Sequence, residues 1–128
     1  MRRRLSVFAR DEGGTLTELP EESVELPHAV DNVHLDPVSG HLFTGSIPFL
    51  YEQLDHSHPR HGTFLEISTS DGVTFDSFTE VVVHDGTLLN QVSACYRVNT
   101  DDGSMWGICG SPLGDGLLAC SLQEEGNF

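Results

Sequence analysis

The chain has no lysine. Its basic side chains are six arginines, set against 20 acidic residues, and the formal net charge is −14. That balance repels the phosphate backbone and excludes a groove that tracks nucleic acid. It is compatible with solubility and with binding cations. Nowhere do 18 apolar residues follow one another, so the sequence holds no membrane-spanning helix. Met1 to Arg4 have the basic character that begins a signal peptide, but Arg10, Asp11 and Glu12 arrive before any apolar stretch. The reading therefore includes no signal segment. Sustained helical periodicity is also missing. No Gly-x-Ser-x-Gly elbow occurs, and Ser111 in CGSPLGDG reads as part of a plain turn, so a serine-hydrolase mechanism has no support. Cysteine is scarce. Cys95, Cys109 and Cys120 match no zinc spacing, which leaves buried thiols, one internal bridge, or a bridge to something outside the chain.

What is present is strand after strand. LSVFAR, from Leu5 to Arg10, alternates apolar and polar residues as a half-buried strand does. Asp11 to Gly14 turns the chain into a second strand, Thr15 to Leu19, which Pro20, Glu21 and Glu22 break. Val24 and Leu26 offer a short extension. Gly62 to Ser68 and Ser77 to His84 are rich in β-branched and aromatic residues and flank Asp71–Gly72. The same dipeptide recurs at Asp85–Gly86, Asp102–Gly103 and Asp115–Gly116. Asp-Gly suits hairpin turns that need positive φ, so this spacing predicts a meander of strands including SACYRV, SMWGIC and LLACSL. The fold class is all-β. The segment Ile47 to Leu54 stays open between strand and irregular crossing. His56, His58 and His61 around Pro59 read as a solvated loop, because nothing in their spacing fixes a tetrahedral site.

The central stretch is VDNVHLDPVSGHLFTG, Val30 to Gly45. Asp36, Pro37, Ser39 and Gly40 form a turn between two strands. A carboxylate beside a carboxamide, Asp31 and Asn32, opens the first strand and offers two hard oxygen donors of the kind calcium selects. Taken alone, such a pair more often serves a turn by capping backbone N–H groups. A faint echo links Val30–Gly45 to Val92–Gly110, a little over 60 residues on.

From about Leu5 to Leu122 the chain resembles the C-terminal third of the paraoxonase/arylesterase family. The segments that carry the likeness are LSVFARDEGGTLTEL, VDNVHLDPVSGHLFTG, FTEVVVHDGTLLNQVSACY and GLLACSL. The resemblance implies a partial six-bladed β-propeller, about two and a half C-terminal blades of antiparallel meander sheets, over residues 1–122. Residues 123–128 read as a frayed tail. It also implies a catalytic calcium with Asp31 and Asn32 among its ligands, polarising an ester or lactone carbonyl. Cys120 matches the family cysteine that bridges to an N-terminal partner, and that partner is absent here.

Other family features are absent too. A glutamate and two asparagines that complete the calcium shell, the assisting histidines and the N-terminal blades have no counterpart in this sequence. Ile47 stands where relatives carry a pocket histidine, and Asp85-Gly86-Thr87 replaces an Asn-Gly-Thr glycosylation sequon. The expected function is therefore a calcium-dependent ester/lactone hydrolase of arylesterase, paraoxonase or lactonase type, with no catalytic residue assigned within these 128 residues. The chain by itself is expected to be inactive, since two oxygens are few against calcium's roughly 6–8. The alternative is a non-catalytic propeller fragment that binds or self-associates through open β edges. The family implies a small ester or lactone substrate, a secreted or membrane-associated setting, and association of full-length relatives with lipid or lipoprotein.

Overall fold

The computed structural model describes residues 3–49, 57–72, 74–113 and 116–122. The segment left open from Ile47 to Leu54 and the tail at 123–128 lie largely or wholly outside these. Among the described residues every regular element but one is a strand, the exception being a 3₁₀ turn at Pro20–Glu22, where the expected break falls. The strands are β1 (Arg4–Leu5), β2 (Phe8–Arg10), β3 (Leu16–Glu18), β4 (Val24–Glu25), β5 (Ala29–Leu35), β6 (Leu42–Ile47), β7 (Gly62–Thr69), β8 (Phe75–His84), β9 (Ala94–Asn99), β10 (Met105–Gly110) and β11 (Leu117–Ser121).

The N-terminal strands pair as two short ribbons, β1 with β4 and β2 with β3. The expected strand Leu5–Arg10 is thus two pieces. The remaining seven strands form one curled sheet in the order β11-β10-β9-β5-β6-β7-β8. Within it, β5 to β8 form one antiparallel meander and β9 to β11 a second. The two meet where β5 runs parallel to β9, at the pair Asn32–Ala94. A purely antiparallel arrangement is therefore corrected to a mixed one. The join also explains the faint echo, because β5–β6 and β9–β10 are the leading hairpins of the two meanders.

The central strands of the β5–β8 meander, β6 and β7, are buried on both faces, while β5 and β8 are largely exposed. On one side Phe43 and Phe64 pack with Leu89, Val92, Cys95 and Cys109, and Leu118 closes over them. The Phe43 and Phe64 rings sit tilted at 5.5 Å between centroids. On the other side Leu65 and Ile67 pack with Leu26, and with Leu5 and Val24 of the N-terminal ribbon. Each such side chain, taken out of water, contributes about 1.5–3 kcal/mol before conformational entropy is counted.

Two Asp-Gly sites make the expected hairpin turns. Asp71–Gly72 joins β7 to β8, and Asp102–Gly103 joins β9 to β10, with Gly72 and Gly103 at φ 78° and 84°. Asp85–Gly86 differs. It opens the long connection that carries the chain from β8 across to β9, and Gly86 is needed there because a Cβ would meet the Arg60 carbonyl oxygen at 2.3 Å. Asp115 lies outside the described residues.

Candidate functional site

Asp31 and Asn32 occupy a two-against-one β-bulge. Val30 pairs with Ser46 and Val33 with Thr44, so the two residues between them on β5 face only Gly45 on β6. Such a bulge interrupts the ladder and re-aims what it carries. Here it frees the Asn32 N–H from β6 and turns it to the Ser93 carbonyl at 2.9 Å, with the Asn32 Nδ2 donating to the same oxygen at 3.4 Å. Gly45 makes this possible. Any Cβ there would sit 2.7 Å from the backbone of Ser93 and Ala94.

The site is therefore the point at which the two meanders meet. Both side chains are exposed. Among the described residues the Asp31 carboxylate has no hydrogen-bond or ion-pair partner, and the Asn32 Oδ1 accepts no bond. Their donor chemistry fits calcium, and their number fits only part of a shell. Among the described residues no three His, Cys, Asp or Glu side chains gather around a common point. His58 and His61, expected in a solvated loop, form no such group, and His56 lies outside the described residues. That loop is tied down at its centre: Arg60 is buried, its N–H donating to Asn90 Oδ1 at 2.8 Å and its Nη1 to Gln91 Oε1 at 2.8 Å.

At the far end of β5 the chain makes a second connection between the meanders. Asp36, 4 % exposed, accepts from the Val38 and Ser39 N–H groups, from the Ser39 hydroxyl, and from Arg97 of β9 at 2.7 Å. Burial alone would raise the Asp36 carboxyl. The bonds from Ser39, Val38 and Arg97 outweigh it and hold the group below its ordinary value. The Arg97 guanidinium also lies over the Phe43 ring, 5.3 Å from its centroid. Asp36 was visible in the sequence as a turn residue. Its partner, 61 positions away, had no local mark.

Between these two connections His34 and Tyr96 bring their rings to 5.4 Å, so facing side chains of β5 and β9 line the junction. Cys95 and Cys109, directly opposite each other on β9 and β10, are joined by a disulfide, and Cys120 is a free thiol among the described residues. Burial pushes the Cys120 thiol above its ordinary value, against a weaker opposing pull from its contact with the Gly107 carbonyl. A cavity of about 370 Å³ opens between the β8–β9 and β10–β11 connections, lined by Pro59, Leu88, Leu89, Asn90, Leu113 and Leu117. Neither Asp31 nor Asn32 lines it.

Compared with known proteins, the chain matches no family model, and a search of the curated proteins returns no match.

Proposed function

We propose that this chain is part of a calcium-dependent ester or lactone hydrolase built as a β-propeller, in which Asp31 and Asn32 supply two of the metal's oxygen ligands. The observation that carries the reading is the bulge. It sets a carboxylate and a carboxamide, whose oxygens accept no hydrogen bond among the described residues, at the junction of two meanders whose leading strands run parallel. Consecutive blades of a propeller meet in this way along its axis, and their sheets stack face on face as β5–β8 and β9–β11 do. The sequence likeness to the paraoxonase/arylesterase family supports the same reading. An extracellular setting belongs to it as well and agrees with the Cys95–Cys109 bridge, which oxidising compartments preserve.

Calcium bound by the pair would polarise the carbonyl of an ester or lactone and favour the negative charge that builds on its oxygen. The chain's own part is positional. Asp31 offers charge to the cation, and Asn32 offers its Oδ1 while its N–H is held by Ser93. Remaining ligands must come from donors other than these two.

The test is calcium titration of the purified chain, followed by backbone amide NMR. Weak, saturable shifts centred on Asp31, Asn32 and Ser93, lost in Asp31→Ala, are expected. Shifts spread evenly over the acidic surface, or equal in Asp31→Ala, would reject the site. Hydrolysis of phenyl acetate or a γ-lactone by this chain alone should stay near background.

A further inference from the structure

His84 ends β8 at the point where the chain leaves for β9, and its Nδ1 accepts the Gly86 N–H at 3.0 Å. In the neutral ring the proton therefore sits on Nε2, as this bonding assigns it. That nitrogen is buried without a partner among the described residues. It lies over Gly62, directly opposite on β7, where an added Cβ would meet it at 2.9 Å and Val92 at 2.5 Å. The connection that His84 introduces is held at both ends. At the near end is the Gly86 bond, with Gly86 at φ 90° against the Arg60 backbone. At the far end Arg60 donates its N–H to Asn90 and its Nη1 to Gln91, and its carbonyl accepts the Gln91 N–H at 3.1 Å. Between the two ends Leu89 is buried and serves as a shared wall. It packs with Phe43 and Phe64 in the core and also lines the 370 Å³ cavity.

We propose that protonation of His84 releases the near end of the β8–β9 connection, so that the wall between cavity and core opens in mild acid. The added proton goes to Nδ1, the nitrogen that accepts from Gly86. Two N–H groups then face each other, and the Gly86 N–H loses its acceptor. The cation also brings charge to Nε2, where no described residue accepts it. Turning the ring toward water relieves both conflicts, and it parts His84 from the connection. Burial opposes the cation most, His61 at the entry to β7 adds to it, and Asp85 next along the chain favours the charge. The folded pKa falls below the ordinary 6.5, so the closed form is favoured above about pH 6.5 and weakens as pH falls through the lower value. The Arg60 guanidinium is turned to Gln91 and stays charged throughout this range, so the far end holds and the opening is local. The inference stands apart from the hydrolase reading, since it uses none of the calcium donors.

NMR of the full chain, titrated from about pH 8 to about pH 5, tests it. Protection of the Gly86 amide against hydrogen exchange, corrected for the intrinsic pH dependence, should fall about fivefold, as the loss of one hydrogen bond implies. The Leu89 methyl shifts should move with it, and both should share the midpoint of the His84 ring. Amides of β6 and β7 should keep their protection. His84→Gln, whose side chain does not titrate, should abolish the response, while His61→Gln should keep it and raise its midpoint. Should His84→Gln fail to fold, the coincidence of midpoints in the parent chain decides. A Gly86 amide indifferent to pH while His84 titrates overturns the proposal. So does a response that persists in His84→Gln, or a loss of protection that reaches β6 and β7 equally.

Discussion

The Asp36 carboxylate is buried and bears a charge, and it is tolerable because four donors satisfy it. Two N–H groups, one hydroxyl and the Arg97 guanidinium converge on it. Removing one partner of such a pair strands the other, which costs far more than the pair itself contributes. Arg97→Ala should therefore destabilise the chain by about 3 kcal/mol in urea unfolding. A loss well under 1 kcal/mol would mean that Asp36 reaches water once the arginine is gone. His84 is a second residue governed by burial. Its Nδ1 accepts from the Gly86 N–H at 3.0 Å, and its Nε2 is buried with no partner. Burial, helped by nearby His61 and opposed by Asp85, lowers its pKa from the ordinary 6.5. The folded state thus favours the neutral ring. This contribution is complete above about pH 6.5 and is lost as pH falls through the lower folded value. An NMR titration should place the His84 midpoint below 6.5, and thermal stability should decline less on acidification in His84→Asn than in the parent. A midpoint at or above 6.5 would remove the argument.

Among the elements, the β5 bulge joins architecture to the candidate chemistry, and two substitutions separate the two roles. Asp31 is exposed and unbonded to protein, so Asp31→Ala should change stability by less than about 0.5 kcal/mol. Gly45→Ala places a methyl against the Ser93 and Ala94 backbone, which cannot move without parting β5 from β9. It should cost about 1–3 kcal/mol and shift the Asn32 and Ser93 amide resonances. Equal effects of the two changes, read by urea unfolding, would show that the bulge has no such division of labour. The strands themselves were legible because their alternation and their punctuation by Asp-Gly are local properties. Legible too were Asp31 and Asn32 as oxygen donors, and Gly45 as the end of the motif. The need for Gly45 was not, because the atoms that exclude a Cβ belong to residues 93 and 94. The same holds for Arg60, read as part of a surface loop. It is buried because Gln91, in a left-handed conformation at φ 58°, brings the β8–β9 connection back over it. Pairings across tens of residues leave no trace in local pattern, and the parallel join of β5 to β9 is one of them.

For the whole molecule, a charge of −14 on 128 residues works against compactness, and the cores must offset that repulsion. The single covalent link between distant residues therefore matters more than its position in one hairpin suggests. Cys95 and Cys109 are separated by 14 positions and fully enclosed between the two meanders. Closing a loop of this length lowers the entropy of the unfolded chain by an amount equivalent to about 3 kcal/mol. Net stabilities of domains lie near 5–15 kcal/mol, so this is a substantial share. Reduction under unfolding conditions, followed by refolding in a reducing agent, should lower the urea midpoint, and the Cys95→Ala/Cys109→Ala variant should show the same loss without reductant. Cys120 gives an internal control, because it is the free thiol and burial keeps it protonated. Thiol titration in denaturant should thus count one reactive group per chain before reduction and all three cysteines after it. Three groups before reduction would show that the bridge does not form, and the stability difference between reduced and oxidised chain would then vanish with it.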